Sequence, residues 1–197
     1  MKIIDDSERI KKMLKNYDPT MAGERTKPKL TYSKDKLTNL LKIVISQDQD
    51  INKRTESVLL SADEILEMEN VKEYSICQNG CAHCCKIPVS VTTMEANLIK
   101  EHTEKELRTY PHKSKEKIKY EYCPFLDQKN ANCTIYPVRP LHCRCFHTFD
   151  HYKYCEDLNT PHLILKVESD ERLRWLHDIL LKGSDYYYAD IRDWFEQ

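Results

Sequence analysis

Cys77-Gln78-Asn79-Gly80-Cys81-Ala82-His83-Cys84-Cys85-Lys86 is the stretch from which the rest of the chain is best read. Its four cysteines fall at offsets 0, 4, 7 and 8. On a helix, at about 100° per residue, such positions occupy one arc of roughly 100°. In a loop folded around an ion they converge as well. Gly80 favours the loop, because glycine costs about 1 kcal/mol inside a helix. In either conformation the four thiols lie close together.

Working outward, a second group follows at Cys123-Pro124-Phe125-Leu126 and Cys133-Thr134-Ile135-Tyr136. Asp and Asn between them supply turn chemistry, so the spacing predicts a β-hairpin with one cysteine near the start of each arm. Then come Pro137-Val138-Arg139-Pro140-Leu141-His142-Cys143-Arg144-Cys145-Phe146 and, further on, Cys155. All nine cysteines lie between residues 77 and 155. The first residues, Met1-Lys2-Ile3-Ile4-Asp5-Asp6, are acidic early and lack the apolar run of a secretory signal, so a reducing, cytoplasmic setting is expected. There a disulfide framework is disfavoured, and an odd number of cysteines would leave one thiol over in any case. Metal ligation is the chemistry that remains.

A tetrahedral zinc takes four thiolates, and so does a [4Fe–4S] cluster. The doublet Cys84-Cys85 suggests ligation of two different metal atoms, because neighbouring side chains diverge on helix and strand alike. The metal ligands expected are Cys77, Cys81, Cys84, Cys85, Cys123, Cys133, Cys143 and Cys155. Cys145 stands one beyond a full set of eight and can equally be a small buried hydrophobe. Zinc with four thiolates carries a charge of about −2. Lys86, Arg139 and Arg144 adjoin or closely follow ligand cysteines and could screen it.

The ordered string Cys-x3-Cys-x2-Cys-Cys, Cys-Pro-Phe-Leu, Cys-x-Ile-Tyr-x-x-Arg-Pro-x-x-Cys-Arg-x-Phe resembles the YkgJ-type cysteine-cluster family. The matching positions are Cys77, Cys81, Cys84, Cys85, Cys123, Cys133, Tyr136, Arg139, Pro140, Cys143, Arg144 and Phe146. The resemblance implies a zinc- or iron-chelating domain over about residues 75–157, with Tyr136 among the residues around the metal and Cys155 as a further downstream cysteine. The same pattern occurs in flagellin lysine N-methylases, which implies, as an alternative, methyl transfer from S-adenosylmethionine.

The remaining sequence frames this centre. The chain has 197 residues, a charged fraction of 32% and a formal net charge of −1. That balance argues against a polyanion binder driven by bulk charge, so nucleic acid is not an expected partner. No run of about 18 apolar residues occurs, so no membrane span is expected. The three glycines do not cluster, which argues against a Rossmann or P-loop nucleotide site. Helices are predicted near 6–16, over 34–46 (Leu37, Leu40, Leu41, Val44, Ile45) and over 51–69 (Ile51, Val58, Ala62, Ile65, Leu66). A short β segment at 87–91 leads into a helix opened by the capping box Thr92-x-x-Glu95, with solvated helix end and loop over 100–122. A strand at 162–167 and a helix at 170–181 follow, with Leu173, Leu176 and Leu180 on one face and Gly183 as its C′ residue. Ser184 would cap a last helix bearing Tyr187, Ile191 and Trp194. The run Tyr186-Tyr187-Tyr188 reads as packing rather than as a stacking platform.

The fold expected is mainly α with a small β-hairpin around an irregular, cysteine-rich, metal-centred core. Its organisation is a helical extension at 1–70, a cysteine-cluster domain at 71–157 and C-terminal helices at 158–197 packed on it. Three other functions compete with plain metal binding. The spacing Cys77-x3-Cys81-x2-Cys84 also resembles that of radical S-adenosylmethionine enzymes. The metal could merely pin a module whose flanking helices bind a protein partner. Cys145 with His142 or His147 could form a nucleophilic pair.

Overall fold

The computed structural model describes residues 34–46, 49–77, 80–103, 105–108, 121–150, 152–155 and 163–195. The helix expected near 6–16 and most of the 100–122 loop lie outside those residues. Among the described residues there are seven α-helices: α1 Lys34–Ile45, α2 Ile51–Met68, α3 Val71–Tyr74, α4 Thr93–Thr103, α5 Leu141–Cys145, α6 Glu171–Gly183 and α7 Ile191–Trp194. Three two-stranded antiparallel sheets join them: β1 Ser90–Thr92 with β6 Tyr188–Asp190, β2 Leu126–Asp127 with β3 Asn132–Cys133, and β4 His147–Thr148 with β5 Ile164–Leu165. The mainly α class with the 126–133 hairpin is therefore present. The other two sheets pair residues far apart in sequence, which local periodicity could not reveal. Cys123 precedes the first arm of the hairpin by three residues and Cys133 is the second residue of the other, so each lies near the start of an arm.

Helices α1 and α2 pack on each other, as their apolar stripes require. Val44, Val58, Leu59, Ala62, Ile65 and Leu66 are buried, while Ile45 and Ile51 face solvent at the adjoining helix ends. Asp50 starts α2 by accepting hydrogen bonds from the Asn52 and Lys53 amides at 2.9 and 3.1 Å. One buried apolar cluster runs from Leu37 to Phe195. Leu173, Leu176 and Leu180 enter it from α6. The C-terminal segment reaches it through Ile191, Trp194 and Phe195, and Phe195 meets Phe125 edge to face.

The capping box at the start of α4 forms as the sequence indicates. The Thr92 amide donates to Glu95 Oε2 at 2.8 Å and the Glu95 amide to Thr92 Oγ1 at 3.4 Å. Two capping expectations differ from the structure. Gly183 is not a left-handed C′ residue; it lies in the last turn of α6, which Ser184 closes. The positive-φ residues there are Asp185 (50°) and Tyr186 (59°). A Cβ at 183 would collide with the Met94 sulfur, so any larger residue there must displace that buried side chain. Ser184 does not cap the last helix. Its Oγ accepts the Met94 amide of α4 at 3.0 Å, a cap supplied from a residue distant in sequence. Asp190 caps α7 instead, accepting the Arg192 amide.

The predicted 162–167 strand shortens to β5, followed by a 3₁₀ turn at Val167–Ser169. Tyr186, Tyr187 and Tyr188 lie on the surface. Tyr187 meets Trp194 edge to face, and Tyr186 remains 64% exposed.

Candidate metal centre

The described residues of the first cysteine stretch, Cys77 and Gly80–Lys86, form no α-helix. Gly80 takes a φ of 88°, a region that glycine enters without steric cost, and His83–Lys86 then forms a 3₁₀ turn. In that turn the Cys84 and Cys85 thiols hydrogen-bond to each other. The divergence expected of neighbouring side chains does not occur, because the tight turn rotates both thiols toward one side. The doublet therefore gives no argument for two separate metal atoms.

Three contacts gather the other cysteines. The Cys123 amide donates to the Cys85 carbonyl at 2.9 Å, so the segment before the hairpin docks on the first loop. Strand β4 joins Cys77 to Cys155: the Thr148 amide reaches Cys77 Sγ at 3.4 Å, and Thr148 Oγ1 lies 3.1 Å from Cys155 Sγ. The turn Tyr152–Cys155 packs on the turn His83–Lys86.

The result is two sets of thiols that meet at Cys84. Cys77, Cys81 and Cys155 interact electrostatically with Cys84 on one side. Cys133 and Cys143 do so on the other, and Cys143 also feels Cys123. All eight cysteines expected as ligands are thus brought into one neighbourhood. Cys145 stands apart. It is fully buried in the apolar core, and the charges around it are those of Asp63, Arg144, Arg139 and Glu95.

Burial raises these thiols. It lifts Cys81 and Cys123 to about 11 and Cys155 to about 12, and raises Cys77, Cys133 and Cys143. Cys84 is raised by its bond to Cys85 and then by burial. Cations oppose the rise. Arg139 acts on Cys84, Cys133 and Cys143, and Arg192 acts on Cys123.

The expected charge-screening residues divide by role. The Arg139 guanidinium lies 4.1 Å over the Tyr136 ring and faces the thiols, and its Nε is buried without a hydrogen-bond partner among the described residues. Lys86 lies 4.6 Å over the Tyr122 ring. Arg144 is directed elsewhere: its guanidinium bonds to Asp63, to the Pro137 carbonyl and to the Arg139 carbonyl, bracing the 137–144 segment against α2.

Sequence reasoning missed three supports. Arg192 donates to the carbonyls of Cys85 (2.7 Å), Ile87 (3.4 Å) and Glu121 (2.9 Å), binding α7 to the first loop. Asp190 Oδ2 accepts the Val89 amide at 2.7 Å. His147 Nε2 donates to the Arg144 carbonyl at 3.0 Å, which leaves Nδ1 to accept from Ser75 Oγ at 3.0 Å. Ser75 Oγ in turn accepts the Cys77 amide at 3.1 Å. Only tertiary contacts define these roles, and no local motif announces them.

Among the described residues no three His, Cys, Asp or Glu side chains are already drawn into a closed ligand set. The donor chemistry nonetheless fits a thiolate-held group. Thiols converge in number, an amide points at Cys77 Sγ, and the Arg139 Nε has no acceptor where negative charge would accumulate. The class defined by this fold and site is a mainly α protein organised around a cluster of free cysteines. Residues 76–164 match the model of the CxxCxxCC family, described as a candidate zinc- or iron-chelating domain. No curated protein and no solved structure was found to match the chain. No described helix is long and apolar enough to cross a membrane.

Proposed function

We infer that this chain binds metal through the eight cysteines around Cys84, as zinc or as an iron–sulfur cluster. Support comes from one observation above the others: eight thiols drawn from five separate stretches lie near enough to act on one another, while the charges acting on the ninth, Cys145, are those of other residues. We assign the chelating role to residues 71–157, with residues before and after this segment packing on it. Bound zinc would supply a structural cross-link, and an iron–sulfur cluster would supply a one-electron redox centre.

The chain's own residues prepare this. Burial raises Cys77, Cys81, Cys123, Cys133, Cys143 and Cys155, so binding as thiolates would release protons. Arg139 offers positive charge to Cys84, Cys133 and Cys143 as thiolate accumulates. The Thr148 amide donates to Cys77 Sγ, and Arg192 fixes the backbone of the loop that carries Cys85. The family description names chelation and not methyl transfer, and no feature of the site favours the S-adenosylmethionine reading.

Anaerobic purification with elemental analysis, acid-labile sulfide assay and an absorption spectrum tests the proposal. Iron with sulfide and a broad band near ~400 nm identifies an iron–sulfur protein. Zinc in a colourless sample identifies a structural site. Stoichiometric free thiols with no metal would overturn the reading.

A further inference from the structure

His142 and His177 meet away from the thiols. His142 lies on α5 and His177 on α6. Their Nε2 atoms are 3.4 Å apart, and the rings stand edge to face at 83°, with centroids 4.8 Å apart. Both residues are partly exposed. His142 follows Leu141 and precedes Cys143 on a helix, where successive side chains point about 100° apart. Cys143 consequently faces the thiol set while His142 faces α6.

The separation is informative. Zinc binds imidazole nitrogen at about 2.0–2.1 Å, so two nitrogens at tetrahedral corners lie about 3.3–3.4 Å from each other. The two rings already hold that spacing. Burial, and next the His177 charge, hold His142 below its ordinary value; Glu95 and Glu168 oppose that fall and Lys166 adds to it. Glu95 is itself held by the Thr92 and Leu141 amides, which leaves Glu168 on the Val167–Ser169 turn as the more adaptable carboxylate.

We propose that His142 and His177 form a second, exchangeable divalent-cation site, separate from the cysteine cluster and filled best by zinc. Two imidazoles supply the protein ligands and water completes the shell. In the empty pair one Nε2–H donates to the other Nε2. With zinc bound, both Nε2 lone pairs face the ion and both ring protons lie on Nδ1. Two neutral rings thus need only a change of tautomer.

The test uses the full chain with its purified metal complement and Zn²⁺ alone as the probe. Long-range ¹H–¹⁵N spectra of the histidine rings report on this pair whatever the cysteines hold. The expected result is that one further equivalent of zinc moves both Nε2 resonances to the metal-bound range, with both protons on Nδ1. Rings that keep their shared proton through several equivalents of zinc would overturn the site and show a plain hydrogen-bonded pair. A His177→Gln chain should bind one zinc fewer than the wild type while its cysteine-bound metal is unchanged. Equal zinc uptake by that variant would also overturn the site. Should the variant fail to fold, the wild-type spectra decide alone.

Discussion

Single residues carry the first two tests. Cys143 and Cys145 are two positions apart, yet one couples to the thiol set and the other is enclosed by the core. Cys143→Ser should lower metal content measurably, whereas Cys145→Ala should leave it intact and cost about 1 kcal/mol of stability, as expected for a small buried truncation. Elemental analysis and urea unfolding of the two variants compare them directly. His147 gives a pH dependence. Burial, and next the Arg139 charge, lower it to about 4. The unfolded chain takes up this proton near pH 6.5 and the folded chain does not, so stability is full above pH 6.5 and falls as pH drops toward 4. The contribution lost is on the order of 3 kcal/mol. In His147→Gln that part of the acid sensitivity should vanish, seen as a flatter plot of unfolding free energy between pH 6.5 and 4.5. The cysteine cluster was legible because its residue type is rare and its spacing is local. His147 and Arg192 were not, because a histidine or arginine acquires its role from partners that are remote in sequence.

Helices and their ends follow the sequence where the signal is local. The α1, α2 and α6 stripes and the Thr92–Glu95 box all appear at their expected places. Where an end is finished by another element, periodicity gave the wrong reason. Gly183 looked like a chain terminator, but it is the gap that admits Met94. Gly183→Ala would raise helix propensity by about 1 kcal/mol in isolation. Here the collision should reverse the sign and cost about 1–3 kcal/mol, measurable as a lower thermal midpoint. Glu95 shows how tightly two helix starts are joined. Fully buried, it accepts from the Thr92 amide and hydroxyl at 2.8 Å each through Oε2 and from the Leu141 amide at 2.8 Å through Oε1. Glu95→Ala would strand three donors, at a cost of about 3 kcal/mol or more. Circular dichroism during thermal unfolding checks this, and the loss should spread to the Cys143 end of the site because α5 begins at Leu141.

The whole molecule is held by contacts that bring remote segments to one place. The apolar core extends from α1 to the residue after α7, and its polar counterpart is the set of bonds from Arg192 and Asp190 to the first cysteine loop. On the proposed function, a metal held by cysteines from several stretches would add to that cross-linking. Removal with a strong chelator should therefore lower the unfolding midpoint of the entire chain in one cooperative transition, and readdition of the metal should restore it. Two separate transitions would show that the flanking helices fold independently of the cysteine segment. The extent of β1 shows why so much of the site lay beyond sequence reading: a three-residue strand has almost no pattern, and its partner β6 lies about a hundred residues further on. That pairing also places the site in time. A ribosome adds about 5–20 residues each second, so Cys77 to Cys85 emerge on the order of 5–20 s before Arg192 and β6 exist to hold their loop. During this interval the nascent loop presents early thiols without its final brace, open to oxidation or to the wrong ion. Correct loading thus depends on what the surroundings supply while synthesis is still under way.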